Sequence, residues 1–201
     1  MSIKTIALTT LVLVALTLVA AAGFIYSGAY DVAASEPDSA LTRWVLITAR
    51  DRSIDRRAAA ITVPSLSDPQ LIQEGFEHYH EMCTGCHLAP SIYNSEIREG
   101  LNPQPPILAK LVPKSSPARL FWVIKNGVKM TAMPAWGGSH SDQMIWAIVA
   151  FLERLPNMTS EEYQALEKQL NDVPDTDEDN SGQQKGQHPR TQSGQHAPDA
   201  A

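Results

Sequence analysis

Apolar positions along the chain fall into three regimes. From Ile6 to Tyr26 they are almost continuous, with no charge after Lys4. That run is about 21 residues, roughly what a helix needs to cross a hydrocarbon core. From residue 41 to 61 apolar residues keep helical spacing only in places (Leu41, Trp44, Val45), and the segment then turns rich in arginine. From residue 68 onward, apolar stripes with a helical period alternate with proline and glycine breaks until about Leu170. Beyond Asn171 the stripe is gone.

The first run has two readings. Ala20 and Ala22 offer an A-x-A-like cleavage site before Gly23, as in a secretory leader. Phe24, Ile25 and Tyr26 carry the apolar stretch past that site and beyond a usual leader core, which favours an uncleaved anchor. The arginine-rich stretch that follows (Arg50, Arg52, Arg56, Arg57) also has two readings. It is either a juxtamembrane segment lying against anionic lipid or a partner subunit, or a solvated, partly helical spacer. The prolines at 64 and 69 end it.

The third regime predicts a set of short helices. Asp68 caps the first, with Pro69 at its first position. Leu71, Ile72, Gly75, Phe76 and Tyr79 form its inner face, and Gly75 leaves room for another helix to cross closely. His78 and His80 are expected as exposed polar positions. Residues 97–112, with Pro103, Pro105 and Pro106, read as loop with a short helical turn. Ser116 and Pro117 open the next helix. Leu120, Phe121, Val123 and Ile124 line it, and Gly127 stops it. Ser141 caps the last core helix, whose stripe is Ile145, Ile148, Val149 and Leu152, with Pro156 as its end. Met144 is expected in the core. Thr159 and Glu162 form a capping box for a helix through Leu170.

Composition narrows the picture. Hydrophobic residues are 43% of 201, but many sit in the N-terminal run, which leaves a modest core. The net charge is −6 with no long basic run, so nucleic acid is not an expected partner. No internal repeat is visible. Residues 171–201 are polar and without aromatics, a composition that cannot offset the entropy of ordering. His188 and His196 in that tail are read as incidental.

The chemistry is concentrated in Cys83-Thr84-Gly85-Cys86-His87, which holds the only two cysteines. This C-x-x-C-H spacing is the signature of covalent c-type haem attachment. Two thiols on one turn reach one edge of the porphyrin and add to its vinyl groups, and the adjacent His87 is placed to ligate the iron. Three other readings of the pair compete. A thioredoxin-like redox pair wants a βαβ context. A disulfide this short staples almost nothing. A zinc site recruiting His78, His80 or His87 lacks the second ligand pair that zinc ribbons carry.

Three stretches then coincide: the Gly75/Tyr79 helix leading into C-x-x-C-H, the Met133-Pro134 loop after a mid-chain helix, and the last helix with Trp146 and Phe151. Together they resemble a class I monohaem cytochrome c, similar to the small bacterial domains of cbb3-type oxidase subunits. The resemblance covers about residues 68–155. It implies thioethers at Cys83 and Cys86, His87 as proximal ligand and a methionine as distal ligand. Met133 is the match for the distal ligand, with Met130 the alternative. It implies a proline carbonyl, from Pro105 or Pro106, accepting from the proximal imidazole, and Trp122 and Trp136 as pocket wall. The first helix would cross the last near Trp146 and Ala150.

The expected chain is therefore all-α, with a class I cytochrome c fold around one covalent haem c. Residues 1–26 are a transmembrane helix, 27–67 a linker, 68–156 the cytochrome domain, 157–170 a short helix and 171–201 a disordered tail. A histidine and a thioether fill both axial positions, and the soft thioether raises the potential. No catalytic triad, general base or phosphate loop accompanies the iron, so no catalytic residue and no small-molecule substrate is expected. The implied function is outer-sphere electron transfer between redox proteins such as a dehydrogenase and a terminal oxidase. The protein would be a carrier rather than an enzyme by itself. Alternatives are an electron-entry subunit of a larger oxidase or oxidoreductase, and a ligand-binding haem sensor. Counting charges hardly decides orientation: Lys4 opposes the distant arginines, and Asp31, Glu36 and Asp38 lie closer. Because c-type haem is attached outside the cytoplasm, the implied place is a bacterial inner membrane with the domain in the periplasm. Lys110, Lys114, Arg119, Lys125 and Lys129, with no acid among them, form a candidate docking surface.

Overall fold

The computed structural model describes residues 2–172. The expected polar tail from residue 173 on, with His188 and His196, lies outside the described residues. Among the described residues there are helices and turns and no strand, the one β-bridge, Ala89 to Ile92, being isolated. The chain is all-α.

Helix α1, Ile3–Tyr26, is 24 residues long, which is about 36 Å at 1.5 Å per residue. It is apolar on every side and buries nothing against the rest of the chain. Its three mid-helix threonines close their hydroxyls on the helix itself. Thr9, Thr10 and Thr17 donate to the carbonyls of Thr5, Ile6 and Leu13 at 2.9, 3.0 and 2.8 Å. These three hydroxyls are thus satisfied within the helix.

Helix α2 runs over Ala40–Ala58 within the arginine-rich stretch. It is one continuous helix, capped by Ser39, and it packs on α7 (Pro117–Asn126), burying Ile54 and Ala58. Arg119 of α7 reaches both Asp51, at 2.9 Å, and Asp55. Burial pushes the Asp51 carboxyl up, but the guanidiniums of Arg50 and Arg119 outweigh it and hold the group below its ordinary value.

The core is the crossing of α3, Pro69–Met82, with α8, Asp142–Leu152. Asp68 and Ser141 cap the two helices as expected, accepting from Gln70 N–H and Met144 N–H at 2.9 and 3.2 Å. A Cβ at Gly75 would lie 1.9 Å from the Ala147 carbonyl oxygen, so the backbones touch there. Phe76 meets Phe151 and Tyr163 edge-on, with centroids 5.4 and 5.3 Å apart. Helix α8 ends at Leu152, before Pro156, which sits instead in the 3₁₀ turn Leu155–Asn157. Met144 is half-buried rather than core, being in the first turn of α8.

Between the crossing helices lie short turns: α4 (Thr84–His87), α5 (Glu96–Glu99) and α6 (Leu108–Leu111), the last continued by a 3₁₀ turn, Val112–Lys114. The proline-rich stretch thus holds more helical turn than expected. Helix α9, Ser160–Asn171, carries the Thr159/Glu162 capping box and takes Asn171 from the expected tail. It returns across α3 beside His80, while His140 lies against His78, so both histidines are half-buried rather than exposed. His80 Nδ1 lies 3.1 Å from the Tyr163 hydroxyl, and the His78 ring meets His140 edge-on at 5.9 Å.

Candidate haem site

The Cys83–His87 turn hangs from the end of α3 by backbone bonds. Cys83 N–H donates to Tyr79 O at 2.9 Å, and His87 N–H donates to Cys83 O at 2.8 Å. The Thr84 hydroxyl donates to His80 O at 2.8 Å. Leu88, directly after His87, has φ 62°, a left-handed value that costs a leucine on the order of 1 kcal/mol or more. Its carbonyl accepts from the buried Tyr79 hydroxyl at 2.5 Å, which holds the turn in that conformation. Burial pushes the Tyr79 hydroxyl's pKa up, so it stays a donor.

His87 Nδ1 is 2.8 Å from the Pro106 carbonyl oxygen. A carbonyl only accepts, so Nδ1 carries the proton and Nε2 keeps its lone pair, the tautomer that binds a metal. Burial lowers the imidazole's pKa; the Pro106 bond raises it less, and Arg98 lowers it further. His87 is therefore neutral at neutral pH. The sequence left Pro105 and Pro106 open, and the structure assigns them different partners. The Pro105 carbonyl accepts from Arg98 Nε at 3.1 Å. Ser95 links this arm back to the motif: its hydroxyl donates to Gly85 O and accepts from Arg98 N–H. Sequence reading missed Ser95 and Arg98. Their one signal was Ser95 as a cap before an acidic first turn.

On the far side in sequence, Gly127 ends α7 at φ 64°. A Cβ there would fall 2.7 Å from the Pro134 carbonyl carbon, so this glycine also admits the returning loop. The loop is closed by Val128 N–H to Met133 O at 3.2 Å. The Thr131 hydroxyl donates to Val128 O at 2.7 Å and accepts from Met133 N–H at 3.1 Å. Met133 is half-buried and packs against the core, as Trp136 does. Met130 is 96% exposed at the loop tip. Trp122 is half-buried on α7.

The donor set fits a c-type haem. Two free thiols share one turn, a neutral imidazole is fixed beside them, and a thioether stands half-buried on a closed loop. Burial pushes the Cys83 thiol up to about 12, the reverse of the lowered thiol that a disulfide-exchange pair uses. Met82, Cys83, Ala89, Leu111, Met133 and Trp136 are half-buried apolar side chains packed against the core, the chemistry a large apolar ring requires. Two expected cations are already spent: Arg119 on Asp51 and Asp55, and Lys125 on Asp142 at 2.6 Å. The set of unpaired cations is smaller than the sequence suggested.

A helical fold crossing at Gly75, with C-x-x-C-H at the end of its first core helix, defines a small c-type cytochrome domain, built for haem-based electron transfer. Residues 70–152 match the family described as cytochrome c oxidase, cbb3-type, subunit III, so this segment is a small c-type cytochrome domain like those of cbb3 oxidase subunits. A comparison with curated proteins returns no match.

Proposed function

We propose that the protein is a membrane-anchored c-type cytochrome that passes single electrons between respiratory-chain partners outside the cytoplasmic membrane of a bacterium. When bound, the haem supplies a one-electron ferric–ferrous couple. Cys83 and Cys86 would hold it through two thioethers, His87 would ligate the iron through Nε2, and Met133 would supply the second protein ligand. Pro106 holds the His87 ring in orientation and fixes its proton on Nδ1. Trp136 and Trp122 wall the pocket and exclude water. The carrier needs no proton transfer at these residues, since His87 stays neutral in its Pro106 bond. Helix α1 keeps the domain at the membrane, with its N-terminus in the cytoplasm.

The observation that supports this reading most is the His87–Pro106 bond, together with Met133, rather than Met130, on the core side of its loop. The purified protein should show c-type haem that acid–acetone does not extract, and ferric protein should show the weak red band of methionine ligation. Met133→Ala should abolish that band, lower the potential and open the ferrous iron to carbon monoxide. Met130→Ala should leave all three unchanged. The reverse pattern would make Met130 the ligand, and carbon monoxide binding to the unsubstituted protein would favour a sensor. The family match favours one further reading, an electron-entry subunit of a larger oxidase. Co-purification with membrane partners would distinguish it from a free-standing carrier.

A further inference from the structure

We propose that the first two turns of α2 insert end-on into the headgroup region of the bilayer, so that α2 is the strut that sets the haem domain's tilt over the membrane. This rests on α1 being a membrane anchor. Leu41, Trp44, Val45, Leu46 and Ile47 are all exposed, Trp44 by 64% and Leu41 by 70%. At about 100° per residue they are spread around the whole axis rather than along one stripe. A helix made for a protein groove shows a single stripe read at i, i+3, i+4 and i+7. A sheath on all sides needs an apolar medium on all sides. Tryptophan is the residue favoured at the membrane interface.

The polar interruptions are compatible with that medium. Ser39 accepts from Thr42 N–H at 3.1 Å, and its hydroxyl shares a bond with Thr42 Oγ1 at 2.8 Å, so the capping hydroxyl and both Thr42 polar groups are paired at the entering end. Arg43 has a long apolar stem that lets its head reach the headgroups. Residues 40–47 rise about 12 Å, comparable to the depth of an interfacial helix. Arg52 and Arg56 beyond them form no ion pair among the described residues, while Arg50 pairs with Asp51 at 2.9 Å and Arg57 bonds Ser53, so the free cations that face anionic lipid phosphates are Arg52 and Arg56. The chain between α1 and α2, residues 27–39, spans at most about 45 Å. Its Tyr30–Asp38 bond at 2.5 Å folds it shorter. The second half of α2 is clamped to α7 by Ile54, Ala58 and the Arg119 pairs. Whatever fixes the first half therefore fixes the cytochrome domain.

The test uses full-length holoprotein in vesicles of phosphatidylcholine and phosphatidylglycerol. Nitroxide labels are placed on one added cysteine at a time: Leu13→Cys in α1, Val45→Cys in α2 and Glu153→Cys on the exposed end of α8. Unsubstituted protein is the labelling blank. The Val45 label should be open to oxygen and lose its accessibility to a water-soluble nickel chelate, like the Leu13 label and unlike the Glu153 label. Adding Leu41→Ser and Trp44→Ser should restore chelate access at position 45 while Leu13 stays in lipid and the haem spectrum is unchanged. A lipid-buried Leu13 with a Val45 as open to the chelate as Glu153 would overturn the proposal and leave the anchor standing. Shielding at Val45 that persists in detergent alongside a co-purifying protein would overturn it in favour of a protein partner. A water-exposed Leu13 would overturn the anchor reading, and the proposal with it.

Discussion

Gly75 tolerates change least. The atoms that a methyl group would meet are backbone, the Ala147 carbonyl oxygen at 1.9 Å and its carbon at 2.4 Å, so no rotamer relieves the clash. Gly75→Ala should separate α3 from α8 and cost on the order of 3 kcal/mol. The check is the denaturant midpoint of the holoprotein, which should fall with little change in slope; an unchanged midpoint would mean the helices cross elsewhere. This role was legible because a glycine on an otherwise apolar helical face announces a close approach. The division of labour between Pro105 and Pro106 was not. Both are carbonyls in one extended loop, and only the position of Arg98 on a neighbouring turn, with Ser95 behind it, decides which reaches His87.

The elements whose ends are set locally were readable. Asp68–Pro69, Ser116–Pro117 with Gly127, Ser141, and Thr159 with Glu162 satisfy their own helix termini within three or four residues. Helix α2 was not readable as a docked element. Its buried residues, Ile54 and Ala58, stand among arginines, and its polar contact, Arg119, is more than sixty residues away in sequence. That contact has a pH dependence. The Asp51 carboxyl is held below its ordinary value of 3.8 in the folded state, so it binds fewer protons there than in the unfolded chain. A group depressed in this way contributes stability above its unfolded pKa and loses it as pH falls through its folded pKa. The pair is partly open to solvent, so its share is on the order of 1 kcal/mol at most. Amide-exchange protection of residues 50–58 should hold at neutral pH and fall, relative to α3, below about pH 4. In Asp51→Asn that relative fall should shrink, and protection should already be lower at pH 7. An identical acid profile in the variant would remove Asp51 from the clamp.

At the scale of the molecule, the distribution of charge decides how a partner approaches. The chain carries five cations and no acid from residue 110 to 129, but folding neutralises two. Arg119 turns inward to α2, and Lys125 lies against Asp142 and over the Phe121 ring, 5.6 Å from its centroid. Among the described residues, Lys110, Lys114 and Lys129 form no ion pair. Lys129 precedes the exposed Met130 on the loop that carries Met133, so under the proposed Met133 ligation it stands beside the electron's exit. Opposite charges raise encounter rates, and salt screens them over about 10 Å at 0.1 M. Lys129→Glu should therefore slow electron exchange with an acidic redox partner several-fold at low ionic strength and flatten its salt dependence. Removing the neutral pair as a whole, Lys125→Gln with Asp142→Asn, should leave both nearly unchanged. Stopped-flow rates across a salt series measure the two effects together. Equal losses in both variants would mean that Lys125 leaves Asp142 to meet the partner, and no loss in either would place docking away from the Met133 loop.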